Sequence, residues 1–426
     1  MTTAVTPTLC RAPGVELLGR MEGSGLTEPP YLVRRADGQV VQLSRLLYLM
    51  VEHADPGTDL GEVARLAGDE LELRIAPDQV RHVLEHKLAP LGITADGEGF
   101  VAEPPKVDAV LALKMRVGVV GAAAVGAAVR PLRHLFHAPV VALVVAALLA
   151  GDVWLFATGG LGDGLNHVIE TPALSLVLFA LSWLSLAFHE FGHAAACRYG
   201  GARPGAIGVG LYIVWPVFYS DVTESYRFGR AGRLRVDLGG IYFNGIFALA
   251  VMAAYAATGF APLLLVVVAQ HALVVNQFIP WIRLDGYYVV SDLIGVSDLF
   301  SRIGPTLRSL VPGRKADPRV RQLKPWARVA VTTWVVSTLV VILVAVVVFA
   351  AEAPAYTQRA WTSLHDQLAT LASGGTVDVL AGGLGVLLLI LPAAGLLFTY
   401  VLLCTQAGSL VAIARCRRLV AHATHR

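Results

Sequence analysis

The chain has 426 residues, of which 55% are hydrophobic and 15% charged, and its mean hydropathy is +0.63. Soluble globular proteins carry nearer a quarter charged residues, so this balance marks a membrane protein and excludes a disordered chain or a collagen-like fibre. The four cysteines (Cys10, Cys197, Cys404 and Cys416) hold no CxxC pair and exclude a disulfide scaffold or a cysteine metal site, while the net charge of +3 gains meaning only when resolved along the chain.

Residues 1–105 read as a soluble domain, with charges interspersed and no apolar run long enough to cross a bilayer. The first thirty residues lack the basic start and apolar core of a signal peptide, which places this domain in the cytoplasm. Two short strands flank Asp37-Gly38 within Tyr31–Leu43, a strong hairpin signal. Helical spacing of apolar residues then predicts helices over Leu43–His53, Asp59–Leu71 and Pro77–Leu91. A hairpin with three small helices is a winged-helix-like α+β arrangement. Such domains often bind DNA, but residues 43–95 hold nine acids against five bases, which repels a phosphate backbone. No nucleic-acid partner is expected; peptide binding or a purely structural role fits better.

After Pro104-Pro105 the composition changes, and residues 106–137 form a separate segment. Its apolar stretch 117–129 lies between Lys114-Met-Arg116 and Arg130 and is too short to span, so an interfacial or re-entrant placement is expected. Six longer apolar runs follow, at about 138–158, 172–197, 236–258, 262–282, 328–350 and 379–404. The connections 159–171 and 259–261 contain no Lys or Arg, and 351–378 contains only Arg359. The opposite side carries Arg198, Arg203, Arg227, Arg230, Arg233 and Arg235, then Arg283 through Lys324, then Arg415, Arg417, Arg418 and Arg426. The positive-inside rule therefore predicts a polytopic α-helical membrane protein with about six transmembrane helices and both termini cytoplasmic.

The second run contains His189-Glu190-Phe-Gly-His193, an HExxH motif on a helix. Residues four apart share a helix face, so His189 and His193 present both imidazoles to one ion while Glu190 reaches a water beside it. Zinc is the usual ion for this pattern, and the glutamate serves as general base for attack on a peptide carbonyl. Two histidines that merely flank a glutamate in a helix core would be the bland explanation. It must also account for three ionisable groups in one apolar helix, which membranes seldom carry without a function.

Catalytic zinc normally takes three protein ligands. Ala196 stands where a metzincin glycine would be, so no further histidine follows in that pattern. Glu224 lies within reach in sequence but sits in a cytoplasmic loop beside Arg227. Asp285 is the better candidate, at the cytoplasmic end of the fourth run, where Pro280 should break the helix. An aspartate paired with Arg283 is the plainer reading of that residue. Residues 206–220 are apolar, rich in β-formers and interrupted by Pro216; a re-entrant hairpin offering a strand edge to an extended peptide and an interfacial loop fit them equally.

At these residues the chain resembles the site-2 protease family of intramembrane zinc metalloproteases. The resemblance covers about 138–290, through HEFGH at 189–193 and Leu284-Asp285-Gly286. It implies a membrane metalloprotease core binding one Zn2+ through His189, His193 and Asp285, with Glu190 as base. Gly240-Ile-Tyr-Phe-Asn244 is similar to the family's Gly-Pro-x-x-Asn segment, with Ile241 in place of the proline. The family's Asn-x-x-Pro-x-Pro-x-Leu-Asp-Gly asparagine precedes the aspartate by eight residues, whereas Asn276 precedes Asp285 by nine and Gln277 stands at the eighth. Asn244 and Asn276 are accordingly the candidate substrate-binding residues.

Only Thr258–Pro262 joins the third and fourth runs, without the folded insert of the PDZ-bearing branch. Residues 31–104 look similar instead to the PqqD-like recognition domain of enzymes that process ribosomally made peptides, including the daptide type. This resemblance implies a bacterial inner-membrane protease, with the N-terminal domain binding a precursor leader and residues 291–426 supplying a cytoplasmic loop, two more spans and a basic tail. The 29 arginines against five lysines fit a GC-rich bacterium. Two other readings stay open: a regulatory protease acting on a membrane-tethered anti-sigma factor or a signal-peptide remnant, and a metal-binding immunity or export component that does not cut.

Overall fold

The computed structural model describes residues 10–95 and 114–373, except 37–38, 56–57, 159–160, 172–173, 213–214 and 314, together with positions 379, 382, 383 and 386. At its N-terminal end lie β1 (Cys10–Arg11), β2 (Glu16–Arg20), β3 (Tyr31–Arg34) and β4 (Val40–Leu43). The expected hairpin is β3–β4, antiparallel with Tyr31 opposite Leu43, and β2 adds on the other side of β3 to complete a three-stranded sheet.

Three helices follow close to their predicted positions: α1 (Arg45–Glu52), α2 (Leu60–Leu71) and α3 (Pro77–Val83), the last prolonged by a π turn and a 3-10 turn to Leu91. Their starts are set by local chemistry. The Ser44 side chain accepts from the Leu47 N–H and the Asp59 side chain from the Gly61 N–H, caps worth about 1 kcal/mol each. Pro77 opens α3 at a position where its missing N–H costs nothing. The apolar faces of sheet and helices meet in one core around Val33, Met50, Val51, Val63, Val80 and Leu88, and β5 (Thr94–Ala95) closes it by pairing with β1. The expected domain ran to 104 or 105; residues 96–105 lie outside those described.

The apolar stretch expected as one interfacial segment divides in two. Lys114–Val120 is β6, and Ala122–Leu132 is α4. Among the described residues, four helices are long and apolar enough to cross a membrane: α5 (Ala138–Thr158), α7 (Leu174–Tyr199), α9 (Gly239–Thr258) and the first part of α14 (Pro325–Ser373). Between α5 and α7 the expected loop is instead a short helix, α6 (Leu161–Glu170). The fourth run yields α10 (Pro262–Gln277), whose 16 residues rise about 24 Å, less than a full hydrocarbon core. Pro280 lies just past its end, in accord with the predicted break. The sixth run lies almost wholly outside the described residues, and so does the basic tail. The stretch read as a loop at 351–378 is a second correction: α14 continues as helix through Pro354 to Ser373.

Residues 206–220 form a hairpin, β7 (Ile207–Tyr212) and β8 (Trp215–Ser220), in register from Ile207–Ser220 to Tyr212–Trp215. β6 joins β7 from the other side. β8 lies against α7, where the Phe218 ring meets Trp183 edge-on at 5.6 Å. Two short helices, α8 (Arg230–Asp237) and α11 (Asp285–Ile294), complete the framework, and α12 (Ile303–Ser309) and α13 (Pro318–Arg321) precede α14. Tyr287, Ile294, Leu299, Leu323, Val331 and Trp334 form the core that joins α11 to the start of α14.

The candidate metal centre

The helix α7 buries only its second half, from Ser185 through His189, Glu190 and His193 to Cys197. Small residues make this approach feasible. A Cβ on Gly192 would strike the Gly239 carbonyl oxygen, and one on Gly239 would come within 2.7 Å of the Gly192 carbonyl oxygen. With no hydrophobic driving force between helices in lipid, such backbone contact is what packs them.

The backbone contact brings α9 against the histidine face. His189 directs Nδ1 at Asn244 Oδ1, 3.1 Å away. His193 donates from Nδ1 to the Val236 carbonyl of α8 at 2.7 Å, which leaves its Nε2 without a proton in the neutral ring. The two Nε2 atoms then face each other at 3.1 Å. Asp285 completes the group from α11: its Oδ2 is 3.1 Å from His189 Nε2 and its Oδ1 is 3.4 Å from His193 Nε2.

Asp285 is placed by a network of its own. Trp334 Nε1 donates to the Pro280 carbonyl at 2.8 Å, and Trp281 Nε1 donates to Ser337 Oγ at 3.1 Å, so α14 holds the irregular 278–284 segment. Gly286 is needed immediately after the aspartate, because a Cβ there would strike the Phe278 carbonyl. Arg283 pairs with Asp298 at 2.8 Å, and the Asp285 carboxylate lies between the two imidazoles.

These three donors fit a cation. A tetrahedral ion holding nitrogen and oxygen at roughly 2.0–2.2 Å separates its ligand atoms by roughly 3.3–3.6 Å. The spacings of 3.1, 3.1 and 3.4 Å lie near that edge length. Gly240 keeps the donors clear of a side chain: a Cβ there would come within 2.5 Å of His193 Nε2 and overlap His189 Nε2. Histidine nitrogen with a carboxylate suits zinc among the common metals.

Glu190, next to His189 on the same turn, is buried to 9% exposure and makes no hydrogen bond among the described residues. Asn244 is 1% exposed and acts behind His189 as its acceptor, with its Nδ2 left unpartnered. This contact orients a histidine, a different position from the substrate contact expected of it. Asn276 is exposed near the end of α10 and makes no hydrogen bond to the cluster. Glu224, the alternative third carboxylate, is engaged elsewhere: it pairs with Arg34 and accepts from the Arg203 N–H at 2.9 Å.

Sequence reasoning missed the supports. Val236 contributes a backbone carbonyl, which no side chain advertises. Nearby, outside the membrane-length helices, Asp237 of α8 is a buried carboxylate close to Asp292 of α11, which Arg233 pairs at 2.9 Å. Burial and the neighbouring Asp292 carboxylate push Asp237 up to about 8, and burial also raises Asp292, against the opposing pull of Arg233.

Comparison with family models, with characterised proteins and with solved structures returns no match to this chain.

Proposed function

We propose that this protein is an intramembrane zinc metalloprotease that hydrolyses a peptide bond near the cytoplasmic face, removing the leader of a ribosomally made, modified peptide. The observation that carries the proposal is the convergence of His189, His193 and Asp285, all within 4.8 Å of one another, one residue away from an otherwise unengaged Glu190. His189, His193 and Asp285 would hold the ion, which when bound supplies Lewis acidity for a carbonyl and makes water a nucleophile at neutral pH. Glu190 would take the proton of the attacking water and return it to the leaving amine. Asn244 and the Val236 carbonyl would fix the ring tautomers, as outer partners of metal-bound histidines commonly do.

An extended backbone is the form in which a peptide bond is cut. No further strand pairs with β8 among the described residues, and this strand lies on α7, the helix of the histidines, through Phe218 on Trp183. Strand addition at β8 is a fitting way to present the substrate. The sheet and helices at 31–95 are read as the winged-helix-like leader-binding domain. This proposal takes six spans, cytoplasmic termini and a bacterial inner membrane. It draws support from the docking of the N-terminal domain on the side that carries the arginine-rich loops, for example Arg34 with Glu224 and the Gly23 carbonyl with Arg230.

The test is the zinc content of the detergent-purified wild type beside Asp285→Ala. One zinc per chain, falling sharply in the variant, is the expected result. Absence of zinc from the wild type would favour the non-catalytic binder, and equal zinc in both would move the third ligand elsewhere.

A further inference from the structure

Arg233 lies outside the ligand cluster, yet it joins two of the helices that carry or orient its donors, α8 and α11. It is fully buried, an expensive position for a charge unless partners surround it. Its Nε donates to Asp292 Oδ1 at 2.9 Å, and its Nη1 donates to the Phe228 carbonyl at 2.8 Å and the Glu22 carbonyl at 3.2 Å. Asp292 lies two turns along α11 from Asp285, and α8, which carries Arg233, also carries the Val236 carbonyl that receives His193 Nδ1–H. One guanidinium therefore joins the helix of the carboxylate donor to the helix that orients a histidine donor.

The third partner, Glu22, belongs to the N-terminal domain, in the loop between β2 and β3. This loop is embedded in the core. The Gly25 N–H donates to the Gly295 carbonyl at 2.8 Å, the Lys324 N–H to the Gly25 carbonyl at 2.9 Å, and the Thr27 N–H to the Gln322 carbonyl at 2.8 Å. Gly25 has no room for a side chain, because a Cβ would come within 3.0 Å of Ala327 Cβ and strike the Ile294 carbonyl. Gly295, just past the end of α11, has a φ of +68° and packs on Gly23. The loop thus fixes the far end of the helix whose first residue is Asp285.

We propose that Arg233 is a positioning residue through which the docked N-terminal domain sets the metal affinity of the site. The proposal rests on the metal-centre reading above. A guanidinium suits the task because its planar fork addresses three acceptors at once, which an ammonium cannot do with the same rigidity. Undocking the 21–27 loop would remove one of the two acceptors of Nη1 and release the end of α11 together, and the ligand geometry would relax without any ligand being changed.

The experiment uses the full chain in detergent, loaded with Co2+ in place of zinc so that the visible ligand-field bands report geometry as well as binding. Arg233→Met is expected to weaken Co2+ binding up to roughly 10-fold, the lower end of the cost of losing a direct outer partner of a metal ligand, and to shift the bands. Arg233→Lys should recover part of the affinity, since the charge opposite Asp292 returns. Gly25→Val, which touches neither a ligand nor the guanidinium, should shift the bands in the same direction and carries the test if Arg233→Met does not accumulate. Wild-type affinity and an unchanged spectrum in both Arg233→Met and Gly25→Val would overturn the proposal. A wild-type chain that binds no Co2+ would overturn the metal centre itself, a result visible before any variant is made.

Discussion

The helices α5 and α7 are both apolar and both long enough to cross a bilayer, yet they are built for different surroundings. None of the Ala138–Leu155 window of α5 is buried inside the protein, and Leu143, Leu149 and Val153 stand more than half exposed. The second half of α7 is enclosed by α4, α8 and α9, and its partner α9 buries 39% of its window. Hydrophobicity does not separate the two cases, because lipid rewards an apolar side chain as well as protein does. What distinguishes them is the small residues: Gly192 and Ala196 on α7 meet Gly239 on α9, and Gly240 lies against the two histidines. Close backbone approach is also what allows polar donors in an apolar helix, since each imidazole then finds an acceptor within reach.

The contrast can be sharpened by substitution on either side. The largest effect is expected for Glu190→Gln, which removes the general base and keeps the ligands: peptide cleavage should fall about 10²- to 10⁴-fold with zinc retained, read as turnover and metal content on one preparation. Unchanged turnover would remove Glu190 from the mechanism. Next comes Gly192→Val, which forces α7 from the Gly239 carbonyl; overpacking of this kind costs about 1–3 kcal/mol, and the melting temperature in detergent should drop together with zinc retention.

A smaller effect is expected from pH. Asp237 carries its extra proton only in the folded chain, between the ordinary carboxylate value of 3.8 and about 8. The folded state thus binds more protons in that window, and its stability should decline as pH rises through about 8. Asp237→Asn should flatten the decline in a thermal scan taken across pH; a steeper slope in the variant would contradict the assignment. The smallest effect is reserved for α5: Leu149→Ala on the lipid-facing surface should leave the melting temperature and the zinc content near the wild type, within about 0.5 kcal/mol. A large loss there would mean that α5 packs against a partner.

Much of this arrangement was legible before the structure. Two histidines four apart on a helix must share a face, and a carboxylate following a broken helix on the same side of the membrane was a natural third donor. Apolar spacing gave the N-terminal helices boundaries within a few residues of those observed, which Ser44, Asp59 and Pro77 set in the structure. The strand β6 escaped notice because Val117-Gly-Val-Val120 runs without a polar break into the alanines of α4. The continuation of α14 was hidden by Pro354 and by charges that read as a loop. Arg233 counted as one of several cytoplasmic arginines, a pattern that fixes sides but does not separate a solvated cation from a buried one. The supports at Val236, Glu22 and Gly25 act through backbone atoms, which leave no mark in side-chain chemistry.

The tryptophans that grip the 278–284 segment carry a consequence for synthesis. Pro280 waits for Trp334, 54 residues further on, and Trp281 for Ser337, 56 residues further on. Chains are made from the N-terminus at a few residues per second, so both histidines enter the bilayer well before the aspartate has its anchor. A nascent chain therefore carries a two-donor, weakly held site while it is still on the ribosome. On the proposed reading, the third donor would gain its support only with the start of α14.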